Sequence, residues 1–224
     1  MIVHIGVKDK KKITHDWGNY FPSLEIWKPM WLVRRHGPIL YGICLDIGGS
    51  PDVYVPKVFM HCLAEAFPAI SLNGSAPVLS ARGQPSQIKL KNHESEYDEL
   101  AQKFRREFPP LMEPVLSLES VIEHFSKYTS GGYGIIVPFQ HGPYLACALS
   151  AAAVGRKDIA LSILDKADSD MKNWPSRAFN IIGDKEKWLR DVIARIDDPE
   201  SLLVEVSSEV AKHGLTSIKS YQLL

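Results

Sequence analysis

Residues 143–167 constrain the fold more than any other stretch. Leu145, Ala146, Cys147, Ala148, Leu149, Ala151, Ala152, Ala153 and Val154 follow closely, with Ser150 as the polar interruption. A helix apolar on nearly every face has to be packed on several sides, and its alanines let neighbouring backbones come close. Pro143 suits the first turn of such a helix, where its missing N–H would have no partner in any case. Gly155 is placed for a left-handed stop. Beyond it, Ile159, Ala160, Ile163, Leu164 and Ala167 recur at helical spacing. The stretch reads as a helical hairpin whose first arm is a central core element.

Around this hairpin, strand signals fall early and helix signals late. Residues 30–35 lead into Gly37–Pro38, after which Ile39, Tyr41, Ile43, Leu45 and Ile47 alternate strictly, a β-hairpin with one buried face. Met1 to Val7 alternates weakly and suggests an edge strand, and the polar run Asp9 to Asp16 reads as a turn or loop. The aromatic and proline-rich run Trp17 to Trp31 either covers a sheet edge or keeps some rings exposed as partner anchors. Val53–Tyr54–Val55 reads as a short third strand. Val58, Phe59, Cys62, Leu63 and Ala66 recur at helical spacing and predict a helix ended by Pro68. Ala69 to Leu72 and Gln87 to Leu90 are further expected strands, around a Gly/Ser/Pro-rich loop at 73–86.

The pattern then turns helical. Tyr97, Leu100, Ala101, Phe104 and Phe108 mark a helix stopped at Pro109–Pro110, and Leu118, Val121, Ile122, Phe125 and Tyr128 mark one opened by Ser117. Ile135 to Phe139 reads as one last strand, and a polar linker runs through Trp174–Pro175. Trp188, Leu189, Val192, Ile193 and Ile196 define the next helix. Asp198–Pro199 opens the last one, which Gly214 closes. The fold class is α+β: a sheet-rich region over 1–91, an antiparallel N-terminal sheet with a helix, and a mainly helical region over 92–224. The two are separate parts or one continuous domain.

Charge and cysteines narrow the function classes. Lys plus Arg total 26 against 26 for Asp plus Glu, which argues against a general nucleic-acid binder relying on excess cations facing phosphates. The longest apolar run falls short of the roughly 18 residues that span a bilayer. Lys10, Lys11 and Lys12 precede no apolar core of a secretory signal. Cys44, Cys62 and Cys147 are far apart in apolar surroundings and read as reduced core residues, not as a disulfide framework or zinc site. The expectation is a soluble cytoplasmic protein without cofactor, metal, nucleic acid or membrane partner.

No catalytic set is complete. Gly48–Gly49–Ser50 and Gly131–Gly132–Tyr133–Gly134 lack phosphate-loop spacing and read as turns. His61–Cys62 suggests a thiol and its base, but on the expected helix adjacent residues diverge, and Cys62 belongs to the apolar stripe. His93 and Glu96 have the spacing of two ligands on one helix face without a second cluster to complete a site. Glu94, Glu96, Asp98 and Glu99 equally suit a helix N-terminus, complementing its dipole. Glu119, Glu123 and His124 form an acidic cluster that an ordinary solvated face also produces. Asp165, Asp168 and Asp170 before Trp174 give an acidic surface interspersed with Lys166 and Lys172.

Gly155–Arg156–Lys157–Asp158–Ile159–Ala160 with Lys166–Ala167 resembles the second half of a tetratricopeptide-type pair, with no second copy in the chain, and such solenoids need about three repeats. The whole chain, with its aromatic N-terminal sheet opening at Trp31 to Ile47 and its helical second half, resembles bacterial immunity proteins against polymorphic or type VI secreted toxins. The resemblance carries no motif. It implies stoichiometric binding of a cognate toxin, with no cofactor and no catalytic residue. The surfaces weighed for that contact are Glu94, Glu96, Asp98 and Glu99, and Asp168, Asp170 and Trp174. The rivals are a hydrolase-type enzyme using His93, Glu96 and His141, and a helical adaptor built on residues 143–167.

Overall fold

The computed structural model describes residues 4–72, 74–111, 113, 115–134 and 140–224. The chain opens with α1 (Val7–Tyr20) and runs through β1 (Glu25–Lys28), β2 (Trp31–His36), β3 (Ile39–Asp46), β4 (Val53–Cys62), β5 (Ala76–Pro77) and β6 (Ile88–Lys89). Then follow α2 (His93–Glu107), α3 (Leu118–Thr129), α4 (His141–Ala153), α5 (Lys157–Met171), α6 (Phe179–Ile182), α7 (Lys185–Ile196) and α8 (Pro199–Lys212), with a closing strand β7 (Ser220–Tyr221). The architecture is α+β: strands, then helices, with the antiparallel order β1-β2-β3-β4-β5 at the centre of the sheet. Each outer edge is shared by two short strands. β1 and β7 divide β2, and β6 and β5 divide β4. Pro56, with no N–H for a ladder, falls between the two short partners of β4.

The expected hairpin forms β2 and β3, paired from Trp31 with Cys44 to His36 with Ile39. The expected helical hairpin forms α4 and α5, turning at Gly155 with φ of +80°. Every residue of α4 from Pro143 to Ala153 is buried, because α3, α5, α7, α8 and β4 all pack around it. Ser150, the polar interruption, donates to the Ala146 carbonyl at 2.6 Å, so no hydroxyl is stranded in the core. Ser117 and Asp198 cap α3 and α8 as their positions predict, accepting from Ser120 N–H and Ser201 N–H. One hydrophobic cluster runs from Ile5 to Leu223 and joins residues of both the sheet-rich and the helical region. Among the described residues no helix is long and apolar enough to cross a membrane.

Four local expectations are corrected. The polar run 9–16 lies inside α1, not in a loop, and residues 4–6 form no strand. Ile13, Trp17 and Phe21 are buried at four-residue spacing, one narrow stripe that three consecutive lysines conceal. The expected helix over 58–66 is the second half of β4. This strand has neighbours on both edges and is buried on both faces, and a continuous apolar run has no strand period to read. His61 and Cys62 are therefore adjacent strand residues, and their side chains point to opposite faces. Residues 69–72 form no strand; the pairing there is made by β5, with Ala76 opposite Val58. The strand expected at 135–139 lies outside the described residues.

The aromatic run covers the sheet. Trp17 and Phe21 are fully buried, and Trp31 lies between Trp27 and Phe59, at 5.7 and 5.0 Å between ring centres. Behind α1, the Trp17 N–H donates to the Tyr54 hydroxyl at 3.2 Å, and that hydroxyl donates to His93 Nδ1 at 2.8 Å. His93 Nε2 donates in turn to the Asp16 carboxylate at 3.0 Å. This chain binds α1, β4 and α2 to one another.

Candidate functional site

A partly enclosed space with polar walls opens where α2 ends. Its C-terminal Glu107 leads into Phe108, Pro109 and Pro110 and on to Glu113. α3 faces them with Ser120, Glu123, His124 and Lys127, a spacing that places all four on one side of a helix. Tyr41, paired with Met60 across β3 and β4, forms the floor with Val58, and Tyr133 closes the wall. The chamber holds about 270 Å³. The Arg34 guanidinium donates to the Glu113 carbonyl at 2.9 Å and the Tyr41 hydroxyl to the Pro110 carbonyl at 3.4 Å, so the sheet holds Pro110 and Glu113 in place.

The charge of the chamber is set by burial. His124 donates from Nε2 to the Gly74 carbonyl at 2.7 Å and accepts from the Tyr133 hydroxyl at 3.0 Å. Burial drives its pKa down to about 4, so the ring is neutral at pH 7. Burial also raises the Tyr133 phenol to about 12 and shifts Tyr41 upward; both keep their protons. Three carboxylates, Glu107, Glu113 and Glu123, line the chamber with one ammonium, Lys127; Lys103 pairs with Glu107 from outside at 3.7 Å. Lys127 lies 4.8 Å from the centre of the Tyr133 ring. The wall already holds one cation against an aromatic face, an arrangement that stabilises ammonium and guanidinium groups.

The chamber continues along α3 as an open groove. Glu123, Ser126, Lys127, Thr129 and Ser130 face Gln140, Tyr144, Lys166 and Asp170 across it. Of the acidic residues expected at a binding surface, Asp170 is the one in this groove, where its carboxylate accepts from the Tyr144 hydroxyl. Asp168 is tied to Lys185 at 2.6 Å. Trp174 is half-buried against Phe179 and the Tyr144, Ala167 and Met171 cluster, and is not an exposed anchor.

Glu94, Glu96, Asp98 and Glu99 stand at the start of α2. Glu94 pairs with Lys12 at 2.6 Å, Glu96 accepts from Asn92 at 2.7 Å, Asp98 accepts from Gln102 at 3.0 Å, and Glu99 is exposed. Glu94 and Glu107 are at opposite ends of the helix, about 20 Å apart along its axis. Glu94 therefore stands at the far end of α2 from the chamber.

The enzyme triad does not assemble. His93 bonds Tyr54 at the start of β4, whereas His141 lines a cavity with His61 and Cys62 at its end. Seven residues of strand separate Tyr54 from His61, about 23 Å. Among the described residues, no three His, Cys, Asp or Glu side chains are placed to share a metal ion. Cys62 lies 3.4 Å from Ser150 Oγ in the core, and burial raises its thiol to about 11, which leaves it protonated and unreactive. Glu119 is exposed, Glu123 lines the chamber and His124 is buried.

The buried histidines set an acid limit on stability. His61 and His124 both have folded pKa values near 4, against about 6.5 unfolded. As pH falls below 6.5 the unfolded chain takes up these protons first, so stability declines between pH 6.5 and 4. Glu65, raised to about 7 by burial, acts in the opposite sense over pH 7 to 4.5, and the two histidines outweigh it. Urea midpoints at pH 7.5 and 5.0 test this: His124→Gln is expected to be less stable at pH 7.5 but to lose less on acidification.

No protein-family model, curated protein or solved structure matches the chain significantly.

Proposed function

We propose that this chain is a cytoplasmic immunity protein, which binds a cognate bacterial toxin one to one and neutralises it by covering or plugging its active site. The observation that carries the reading is the chamber rimmed by Glu107, Glu113 and Glu123 with Tyr41 and Tyr133 in its walls. A partly enclosed space lined by three carboxylates, with aromatic walls, suits a lysine or arginine side chain presented by another protein, through charge-assisted hydrogen bonds and ring contacts. Toxins that act on nucleic acid or phosphorylated substrates carry such cations in their clefts, and an acidic chamber meets that cleft with complementary charge. The groove from Glu123 to Asp170 extends the contact along α3.

Co-expression with the gene next door tests the reading. The neighbour's product is expected to stop growth alone, to be harmless beside this chain, and to co-elute with it in a one-to-one complex. A neighbour without toxicity, or toxicity that this chain leaves unchanged, contradicts the reading.

A further inference from the structure

A second cavity, of about 80 Å³, lies where the end of β4 meets the start of α4, with His61, Glu65, Ser71, His141, Gly142 and Pro143 among its lining residues. His61 is 4% exposed. Its Nδ1 accepts the Ser71 N–H at 3.3 Å, so the neutral ring carries its proton on Nε2, and Nε2 has no partner. Buried donors are seldom left in this state. Nδ1 of His141, on the other side of the cavity, is also buried without a partner.

The backbone adds donors. α4 is a 13-residue helix that starts at His141, with neither a side-chain cap nor an acidic residue in its first turn. The Gln140 amide turns away to donate to the Thr129 carbonyl at 3.3 Å. The first N–H groups of a helix have no partner inside it, and its dipole makes that end positive.

We propose that this cavity binds a small tetrahedral oxyanion of the phosphate or sulfate type at the N-terminus of α4. His61 donates from Nε2, His141 from Nδ1, and the main-chain N–H groups of His141 and Gly142 complete the cradle, as at other helix N-termini that hold anions. The space equals roughly two to three waters at about 30 Å³ each, which suits one such group.

The surrounding charges give binding a pH dependence. Burial raises Glu65 to about 7; Arg195 of α7 favours its ionised form and Glu205 of α8 opposes it. Near His61, Lys212 and His213 stand against Glu209, all on or just after α8. His141 is kept neutral by burial. An anion in the cavity requires Glu65 to hold its proton, so affinity falls as pH rises through about 7.

Sulfate, whose charge is constant between pH 6 and 8, is the probe, followed by amide shifts of His141 and Gly142 and by the His61 ring proton. Saturable binding is expected at pH 6 and at least about tenfold weaker binding at pH 8. His61→Phe and Gly142→Leu should each weaken it by about tenfold or more. A Cβ at Gly142 meets no atom within 4 Å, and an unchanged urea midpoint for Gly142→Leu separates lost binding from lost fold.

Competition by phosphoserine would assign the site to a phosphate borne on a larger molecule, and failure to compete to a free ion; both uphold the proposal. Absence of saturable shifts, shifts that survive both substitutions as from an adventitious ion only, or an affinity indifferent to pH overturns it. None of these outcomes bears on toxin binding.

Discussion

Gly42→Ala is expected to destabilise the fold severely. Gly42 lies mid-strand in β3, opposite Val33 of β2 and Phe59 of β4. A Cβ there would sit 2.0 Å from the Leu32 carbonyl oxygen and 2.9 Å from the Val33 Cα. These are main-chain atoms of the neighbouring strand and cannot swing aside as a side chain would, so β2 and β3 would have to part at the centre of the sheet. The cost is expected to exceed about 4 kcal/mol, a large share of the roughly 5–15 kcal/mol by which domains are stable. Circular dichroism and urea unfolding read the effect directly. Gly142→Ala, where a Cβ meets open space, is the control and should leave stability unchanged or slightly raised. A Gly42→Ala protein that melts like the wild type would contradict the strand register described above.

Trp17→Ala is expected to cost about 3–5 kcal/mol. The indole is fully buried. It lies parallel to Phe21 at 6.0 Å and edge-on to Phe104 at 5.6 Å, and its N–H donates to Tyr54. Truncation removes the wedge between α1, α2 and the sheet and leaves a void that rigid neighbours cannot fill. Trp17→Phe keeps a ring in place and loses the hydrogen bond, so it should recover most of the loss. Urea midpoints of the three proteins give the comparison. A cost below about 1 kcal/mol for Trp17→Ala would mean that α1 is not docked as described.

The same α1 shows where a single sequence stops being readable. Its buried stripe is only Ile13, Thr14 and Trp17, and Lys10, Lys11 and Lys12 dominate the local composition. The helix exists because the stripe is held by partners distant in the chain, Tyr54 and Phe104, which no window around it contains. β4 fails for the opposite reason: burial on both faces erases its alternation, and Val58, Phe59 and Cys62 fit a helix by accident of spacing. The β2–β3 hairpin and the α4–α5 hairpin were legible because their signals are local: strict alternation, capping residues and a glycine at the turn.

The chamber was half legible. Glu123 and His124 stand out in the sequence, but the spacing that lines a chamber is also the spacing of a solvated face. What separates the two is the opposing wall, Glu107 and Glu113 with Tyr41 from β3, and that pairing is made by the fold alone. Of the residues picked out by local charge, Asp170 lies in the groove, whereas Asp168 and Glu94 are engaged in ion pairs elsewhere. Local charge density is a poor guide where lysines and acids alternate, since neighbours within the same chain neutralise most of it.

The measurement that bears most directly on the central claim is the affinity of charge-reversed protein for the toxin proposed as its partner. Glu107→Lys combined with Glu123→Lys replaces two of the chamber's three carboxylates with ammonium groups, and both side chains line space rather than core. The double variant is expected to fold, to bind about a hundredfold more weakly, and to lose most of the salt dependence of binding. Glu94→Lys, at the far end of α2, should bind as the wild type does. Wild-type affinity in the double variant, with the loss appearing instead in Glu94→Lys, would contradict the chamber as the seat of the partner's basic residue.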